Sequence, residues 1–507
     1  IDRVEDLDTE NRTLRLYSGA SLPYTYICVC TGARPKLVAQ HPLVLGIRDL
    51  ESVQELSRRL QDARRVALVG NGGIALELAH SLRSCTVDWL IKDGYIGNTF
   101  FDASSSRFVM DAIANKGDAN SHCAETITNF KHGPRPFAQV LDNNDVSGGI
   151  CDYGSKRNAT TADMGGMDRA ARGWALGPDW QKKSNLEEGL IGTSGMDDNG
   201  TFDMSNLRVH YQTDVLSIID TPSSAFPIAV KTTSGSDVEC DIVISATGVE
   251  VIVPFLGTEL ERDDEDNGIV VDIGLRTSAP HVFAAGDCCS LRSLDKSKHW
   301  FQMRLWSQAK NMGAAAAHSI WFEHQQKVTV LDTSSVAREE LQADYEMYYG
   351  NSFQIFTHIT HFFGYKVVLL GRFNGQGLGE IIESTTKTML VGASLHENKD
   401  DGEEAEKQGA AELTSSKKRR KVVTVDEDLK DENNVGLIQP LEIWTRVSPG
   451  VDYIKVTVLH GRVVGAMLVG ETDLEETFEN LILNELDVSR FGIQLLDPNI
   501  DLEDYFD

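Results

Sequence analysis

The hydrophobic positions alternate between strand-length apolar runs and stretches with helical spacing, as expected of an α/β protein. The central example runs from Val66 to Glu77. Its apolar run predicts a buried strand, Gly70, Gly72 and Gly73 predict a tight turn, and Ile74 to Leu82 continues at helical spacing. A strand, a glycine turn and a helix in this order direct the positive end of the helix dipole at a dinucleotide pyrophosphate. The motif alone also suits an ordinary glycine-rich turn, so its meaning depends on the rest of the chain.

Further strand patterns lie on both sides of this motif, and three of them end in informative residues. The patterns cover Thr13 to Tyr17, Tyr26 to Cys30, Val87 to Ile91, Leu207 to Tyr211, Val215 to Ile219, Ile228 to Thr232 and Asp241 to Ser245. Thr31-Gly32-Ala33-Arg34-Pro35 follows one strand, and Ala246-Thr247-Gly248 follows another. A third strand ends in Ala285-Gly286-Asp287, which places a carboxylate at the carboxyl edge of a parallel sheet.

Two stretches lack hydrophobic periodicity. Residues 102 to 206, rich in Gly, Asn, Asp and Ser, predict a long and partly disordered insertion. Residues 397 to 434 predict a charged loop, which carries the basic run Lys417 to Lys421. Between and beyond them we expect a helix from His299 to His318, with Trp300 and Trp306 in the core, and a third domain over 340–507 that ends in a helix beginning near Asp473.

The composition excludes several classes of protein. A length of 507 residues indicates more than one domain, and a net charge of −28 argues against direct binding of nucleic acid through phosphate neutralisation. No apolar run is long enough for a transmembrane helix, so no membrane association is expected. Eight cysteines without regular spacing favour a reducing compartment. We identify no metal-ligating cluster and no catalytic acid, base or nucleophile.

The ordered series of Thr-Gly, glycine turn, Ala-Thr-Gly and Ala-Gly-Asp resembles the pyridine nucleotide-disulphide oxidoreductases, flavoprotein reductases with two dinucleotide-binding domains. The resemblance implies an α/β fold with two nested Rossmann-like domains, for FAD and NAD(P), followed by a smaller α+β C-terminal domain. The implied boundaries are 1–45 and 251–335 for the FAD domain, 46–250 for the NAD(P) domain with its insertion, and 340–507 for the third domain. Hydride transfer from NAD(P)H to FAD is the implied reaction.

The resemblance also assigns binding residues. Those expected at FAD are Thr31, Gly32, Arg34, Gly286 and Asp287, the last on the ribityl-phosphate portion. Those expected at the nicotinamide dinucleotide are Gly70, Gly72, Gly73, Glu77, Lys92, Thr247 and Gly248. An acidic residue about 20 positions beyond the first glycine favours NAD and a basic one favours NADP. Lys92 and Asp93 both lie there, which leaves the preference open, with Lys92 favouring NADPH slightly.

Two features depart from the family pattern. The first glycine fingerprint for FAD is absent from the sequence, so we expect an upstream segment of at least about 30 residues to be missing. No Cys-x-x-Cys or Cys-x4-Cys pair occurs, and Cys30 stands where the family usually has alanine. In many members of the family that pair lies in the segment expected upstream, so its absence here does not decide the electron acceptor. Adjacent Cys288 and Cys289 would form a strained disulphide and are interpreted as thiols.

Phrases in the third domain resemble one particular member of the family. They are Phe362 to Gly371, Gly470 to Leu483 and Asp497 to Asp507. That resemblance implies redox protection of a tRNA-splicing ligase, a complex with that ligase, and a location in the nucleus and cytoplasm. The basic run at 417–421 suits nuclear import but equally a solvated loop. Two functions are therefore carried forward: an FAD-dependent oxidoreductase with an unidentified acceptor, and a slow-turnover protein that binds flavin and nicotinamide to protect a partner.

Overall fold

The structure is a computed structural model, which describes residues 2–114, 126–132, 201–204, 206–222, 224–253, 260–291, 298–329, 353–376, 378 and 441–500. The basic run at 417–421, the loop at 397–434 and most of the predicted insertion lie outside these residues. Among the described helices, none is long and apolar enough to cross a membrane.

The strands are numbered along the chain. In the first half they are β1 (Val4–Asp8), β2 (Thr13–Leu16), β3 (Ser21–Pro23), β4 (Ile27–Val29), β5 (Ala33–Pro35), β6 (Val44–Gly46), β7 (Arg65–Val69), β8 (Thr86–Leu90), β9 (Thr126–His132), β10 (Thr201–Met204), β11 (Leu207–His210) and β12 (Val215–Asp220). In the second half they are β13 (Ile228–Thr232), β14 (Val238–Cys240), β15 (Ile242–Ser245), β16 (Val249–Val251), β17 (Ile269–Val271), β18 (Val282–Ala284), β19 (Cys289–Leu291), β20 (Thr357–Phe362), β21 (Tyr365–Gly371), β22 (Leu441–Ser448), β23 (Asp452–Leu459) and β24 (Arg462–Val469). The α-helices are α1 (Leu50–Leu60), α2 (Gly73–Ser81), α3 (Ala103–Ala114), α4 (Trp306–Thr329) and α5 (Glu475–Leu483).

The central unit is a six-stranded sheet in the order β10-β11-β8-β7-β15-β6. Its strands run parallel except for β10, which pairs antiparallel with β11 at one edge. Val66, Ala67 and Leu68 of β7 are fully buried, as expected of a parallel strand covered on both faces. The predicted strand, glycine turn and helix are confirmed as β7, the turn at 70–72 and α2.

A second unit contains the ends of two other predicted strands. Parallel β4 and β18 pair through Ile27 to Val29 and Val282 to Ala284, and parallel β17 and β19 pair nearby in the chain. A shared apolar core joins these strands to α4 through Met312, Ala315 and Ala316. Strand β5 follows β4 of this unit across the Thr31-Gly32 turn, and β16 follows β15 of the central sheet across the Thr247-Gly248 turn. The antiparallel pairing of β5 with β16 therefore connects the two units.

The third unit is an antiparallel sheet in the order β20-β21-β24-β23-β22-β9, with α5 packed against β21 and β24. Its edge strand β9 comes from the stretch that the sequence assigned to an insertion in the NAD(P) domain. Seven residue pairs from Thr126 to His132 align with β22. The chain therefore leaves the nicotinamide unit after α3 to complete the third sheet before it returns at β10.

Three sequence predictions need correction. The loss of hydrophobic period at about residue 102 was misread, since α3 lies at 103–114 and buries Phe108, Val109 and Met110. The helix predicted from His299 begins at Trp306, and residues 301–305 are not helical. Trp300 is buried as expected, but Trp306 at the helix start is 80% exposed.

Candidate functional site

The glycine turn after β7 is shaped by its neighbours. Gly70 has φ +128°, and a Cβ on it would collide with the carbonyl group of Ala246 at the end of β15. Its carbonyl oxygen accepts a hydrogen bond from the buried indole Nε1 of Trp89 at 2.7 Å. Glycine is therefore required at position 70 by both conformation and space.

The next glycine faces open space. Gly72 is the N-cap of α2, and no described side chain caps the helix there. A Cβ on Gly72 would meet only the Thr99 hydroxyl, at 3.7 Å. The free N–H groups at the start of α2, with open space before them, fit an anionic pyrophosphate.

Asn71, between the glycines, was not predicted as a site residue. Its Nδ2 donates to Asp93 Oδ2 and to the Tyr95 carbonyl, both at 2.9 Å, and its Oδ1 accepts from Gly97 N–H. These bonds tie the turn to the loop after β8. The Asp93 carboxylate is engaged by Asn71, whereas the neighbouring Lys92 is exposed at the end of the strand.

The turn at 246–248 connects the nicotinamide turn to the other unit. A Cβ on Gly70 would lie 3.1 Å from the Thr247 backbone nitrogen, so the two turns touch. Thr247 Oγ1 donates to the Lys36 carbonyl at 2.8 Å, and Lys36 N–H donates to the Gly248 carbonyl at 2.9 Å. Predicted nicotinamide residues therefore lie directly beside the strand that follows Thr31 and Gly32.

The turn at 31–32 continues this chain of contacts. Thr31 Oγ1 donates to the Ile252 carbonyl, and Ile252 N–H donates to the Gly32 carbonyl at 3.0 Å. Arg34, expected at FAD, places its Nε 2.7 Å from Glu250 Oε1 in an exposed ion pair between β5 and β16. In the described structure the Arg34 guanidinium thus bridges the two connecting strands.

Asp287 lies in a 3₁₀ turn directly after β18, with only 7% of its surface exposed. Its Oδ2 pairs with Arg48, and its backbone carbonyl accepts from Arg304 Nε at 3.0 Å. Gly286 has φ +79°, and a Cβ there would touch Ala309 in the first turn of α4. A carboxylate has about four acceptor positions, so the pairing with Arg48 leaves capacity for a sugar hydroxyl.

Glu77 on α2 has a partly desolvated carboxyl, which raises its pKa. The residue itself is on the exposed side of the helix, one turn beyond Gly73. A Cβ on Gly73 would lie 3.0 Å from the Phe100 ring, so the absence of a side chain here allows the ring to pack closely against the start of the helix. Gly73 is the first residue of α2, whereas Glu77 lies one turn further from the helix N-terminus.

The residues present fit both cofactors in the parts that they line. The open N-terminus of α2 fits a pyrophosphate, and the carboxylate of Asp287 beside the 31–32 turn fits a sugar hydroxyl. Gly70 contacts Thr247, and Thr247 bonds the carbonyl of Lys36, which follows β5 and the turn at 31–32. Just before that turn, the Val29 carbonyl accepts from Ala285 N–H at 3.0 Å, two residues from Asp287. This fold and site define a flavin-dependent reductase with two dinucleotide-binding units.

Comparison with known proteins agrees. The model of the pyridine nucleotide-disulphide oxidoreductase family matches residues 2–152 and 199–313. The chain is 34% identical to the mouse pyridine nucleotide-disulfide oxidoreductase domain-containing protein 1 over 532 residues, which cover 99% of this chain and 83% of the mouse protein. It is 31% identical to the Drosophila melanogaster protein of that name, over 100% of this chain and 84% of the other. The chain belongs to the pyridine nucleotide-disulphide oxidoreductases, and within them to the family of these domain-containing proteins 1.

The solved structures agree on the fold. A ferredoxin reductase from Rhodopseudomonas palustris superimposes with a TM-score of 0.54 at 16% identity, over 100% of this chain and 81% of that one. The reductase in a covalent putidaredoxin reductase–putidaredoxin complex gives a TM-score of 0.52 at 13% identity, over 99% and 79%. FAD and NAD(P)H are the cofactors of the family, as the sequence predicted.

Three residues of the site were missed. Asn71 lies inside the glycine motif and could have been noticed as the only polar side chain between its first two glycines. Arg48 and Arg304 hold Asp287 from distant positions in the chain, and no local pattern marks them. The positions of the twelve predicted residues are now described, while their roles at the cofactors stay predictions.

Proposed function

We propose that this flavin-dependent oxidoreductase passes electrons from NAD(P)H through FAD to an acceptor still to be identified, with oxygen, a quinone-like compound and a protein as the candidates. When bound, the cofactors supply hydride transfer and two-electron storage. The residues of this chain would hold them: Gly70, Gly72 and Gly73 at the nicotinamide dinucleotide, and Thr31, Gly32 and Asp287 at FAD.

The observation that carries the proposal is that Thr247 links the glycine turn after β7 to the segment that follows the turn at 31–32. Gly70 lies against Thr247, and Thr247 is hydrogen-bonded to Lys36 in the segment that follows Gly32. Both turns are therefore at one junction of the central sheet and the β4–β18 unit. Ligands held on the two sides of this junction would meet with a fixed separation, which hydride transfer requires.

A further role is proposed in redox protection of a partner, for which a tRNA ligase is the candidate on the resemblance of the third-domain phrases. The location proposed with it is the nucleus and cytoplasm. The basic run at 417–421 lies outside the described residues. Co-purification of this protein with the ligase from cells, with and without peroxide, would test the association. Ligase activity that survives peroxide equally well in cells lacking this protein would contradict the protective role.

The test of the enzymatic proposal is an absorbance spectrum of the purified protein before and after anaerobic NADPH or NADH. A flavin band that bleaches on addition of either nucleotide supports the proposal, and subsequent oxygen or a quinone identifies acceptors by restoring the band. A flavin band that neither nucleotide bleaches would refute hydride transfer between the two sites.

The alternative is a slow-turnover protein that binds flavin and nicotinamide and protects a partner. Fast bleaching followed by very slow reoxidation with every acceptor would favour this alternative. Rapid turnover with any small acceptor would exclude it.

A further inference from the structure

Four cysteines are close to the carboxyl ends of β4 and β18, where the sequence predicts the FAD site. Cys28 lies in β4, and Cys30 directly follows that strand. Cys288 is the last residue of the 3₁₀ turn after β18, and Cys289 begins β19. Cys288 and Cys289 are fully buried, and their thiols donate to the carbonyls of Val29 and Gly286, both at 3.2 Å. The other two differ, because Cys30 is exposed and Cys28 is half-buried.

Cys28 and Cys30 are placed to react with each other. They are two residues apart in an extended segment, so both side chains project from the same face. Their Sγ atoms are 3.6 Å apart. A rise of about 3.3 Å per residue separates their Cα atoms by about 6.6 Å, just inside the range of about 4.4 to 6.8 Å that disulfides tolerate.

The electrostatic surroundings distinguish the two thiols. The hydrogen bond from the Cys28 thiol lowers the pKa of Cys30 to about 7, whereas the same bond and burial raise the pKa of Cys28. Of this pair, Cys30 is therefore the thiol with substantial thiolate at neutral pH, and it is also the exposed one. The hydrogen bond from the Cys289 thiol lowers the pKa of Cys288 further, to about 6, but Cys288 is buried. Exposure, thiolate character and a neighbouring second thiol are the features of a reversibly oxidised cysteine.

We propose that Cys28 and Cys30 form a peroxide-oxidisable dithiol, a redox site separate from hydride transfer between NAD(P)H and flavin. The Cys30 thiolate sulfur attacks one oxygen of hydrogen peroxide, the O–O bond breaks, hydroxide leaves, and Cys30 becomes a sulfenic acid. The Cys28 sulfur then forms the S–S bond as the S–O bond breaks, and the hydroxyl leaves with a proton as water. In total two thiols lose two electrons and two protons, and peroxide becomes two waters.

A core role for two small apolar residues is the competing explanation. It accounts for Cys28, which contacts the core around β18, but not for Cys30, which is exposed. The disulfide would close between residues near the upper limit of Cα separation, so we expect a strained bond that thiol reductants open readily. The site would therefore respond to peroxide and recover without further damage.

The experiment uses differential alkylation of the purified protein, freed of reductant and treated with stoichiometric hydrogen peroxide. Both cysteines fall in one tryptic peptide, Leu16 to Lys36, because the bond between Arg34 and Pro35 resists trypsin. We expect this peptide to lose two hydrogens and both alkylation sites as peroxide rises, and to regain them after dithiothreitol. Cys240, which is buried and whose pKa burial raises to about 12, serves as the internal control and stays reduced.

Two variants test the order of events. In Cys28→Ser, we expect the same peroxide dose to leave Cys30 as a sulfenic acid that dimedone traps. In Cys30→Ala, we expect Cys28 to remain alkylatable, and alanine is the residue that the family pattern has there, so the fold is preserved. Unchanged alkylation of both cysteines after peroxide would overturn the proposal, and so would a crosslink from Cys30 to Cys288 in place of the intrapeptide bond.

Discussion

Gly72→Ala should separate nicotinamide binding from folding more cleanly than other changes in the glycine turn. The backbone of Gly72 has φ −96°, which alanine adopts without strain, and the new methyl group would meet only the Thr99 hydroxyl at 3.7 Å. Loss of glycine at a helix N-cap should cost at most about 1 kcal/mol of unfolding free energy. The variant is therefore expected to fold and to retain FAD.

The cost to binding is larger. The methyl group would occupy the open space before the N–H groups of α2, where the pyrophosphate is expected. Loss of one charge-assisted hydrogen bond costs about 1.5 to 3 kcal/mol, which corresponds to roughly 10- to 150-fold weaker binding. Anaerobic titration of the FAD-loaded protein with NADPH, followed by bleaching of the flavin band, measures this change.

Gly313→Ala is the matched control for that variant. Gly313 lies within α4, and no atom lies within 4 Å of the position of its Cβ. The substitution should stabilise the helix by roughly 1 kcal/mol and leave the NADPH affinity unchanged. Wild-type NADPH affinity in Gly72→Ala, with an unchanged melting temperature, would refute the placement of the pyrophosphate at α2.

Three further predictions concern charged residues. Asp287→Ala should abolish FAD retention on gel filtration, because it removes the acceptor and leaves Arg48 without its carboxylate; a stoichiometrically loaded yellow variant would contradict this. Lys92→Ala should weaken NADPH binding several-fold and leave NADH binding nearly unchanged. Equal losses of affinity for both nucleotides would show that Lys92 does not contact the 2′-phosphate. Lys455→Met should lower the unfolding free energy by about 3 to 5 kcal/mol, because it leaves the Asp102 carboxylate buried without its cation. Adding Asp102→Asn, which removes the charge and keeps a side-chain acceptor for Ser105 N–H, should recover much of the loss in denaturant melts. Burial raises the pKa of Asp102, but the charge of Lys455 and the hydrogen bonds to the carboxylate together outweigh that effect and hold the pKa below 3.8. The wild-type pair should therefore stabilise the fold above pH 3.8 and lose this effect as the pH falls through the folded-state pKa of Asp102. In Lys455→Met, where that charge no longer offsets burial, the unfolding free energy should instead fall as the pH rises.

The sequence predicted best what continuous local patterns determine. The apolar run of β7, the glycines after it and the helical spacing of α2 lie within one short segment, and their physical roles are local. The same holds for β13, whose bounds match the predicted strand at Ile228 to Thr232. The order of the Thr-Gly and Gly-Asp turns then led to the family before any contact was known.

The misread helix α3 had a local signal that the overall composition obscured. Asp102 Oδ1 accepts from Ser105 N–H at 2.9 Å, and Ser105 Oγ accepts from Asp102 N–H at 3.0 Å, a reciprocal N-terminal cap. Phe108, Val109 and Met110 follow as the buried residues. A run of three serines at 104–106 suggested a loop, although Ser105 and Ser106 are buried by packing that only the folded chain supplies.

Other features depend on partners that are distant in sequence. Arg48 and Asp287 are 239 residues apart, and no periodicity links them. The late start of α4 has a similar cause: the Phe301 ring stacks on Phe356 of the third unit, with centroids 4.3 Å apart and an interplanar angle of 12°. That contact belongs to a non-helical segment, which the Trp- and Ala-rich composition of 299–318 did not reveal.

The third sheet supports the nicotinamide site directly, and this explains why the chain visits it before finishing the central sheet. The loop after β8 is held on one side by Asn71, which accepts from Gly97 N–H, and on the other by Asn374, whose Nδ2 donates to the Phe100 carbonyl at 3.0 Å. Lys455, fully buried in β23, bonds both Asn374 and Asp102 at the start of α3. Because Phe100 also packs against Gly73, a displacement of the third sheet would be transmitted to the N-terminus of α2. The C-terminal unit is therefore part of the scaffold around the predicted pyrophosphate site, and the buried lysine is one of the residues through which the two units constrain each other.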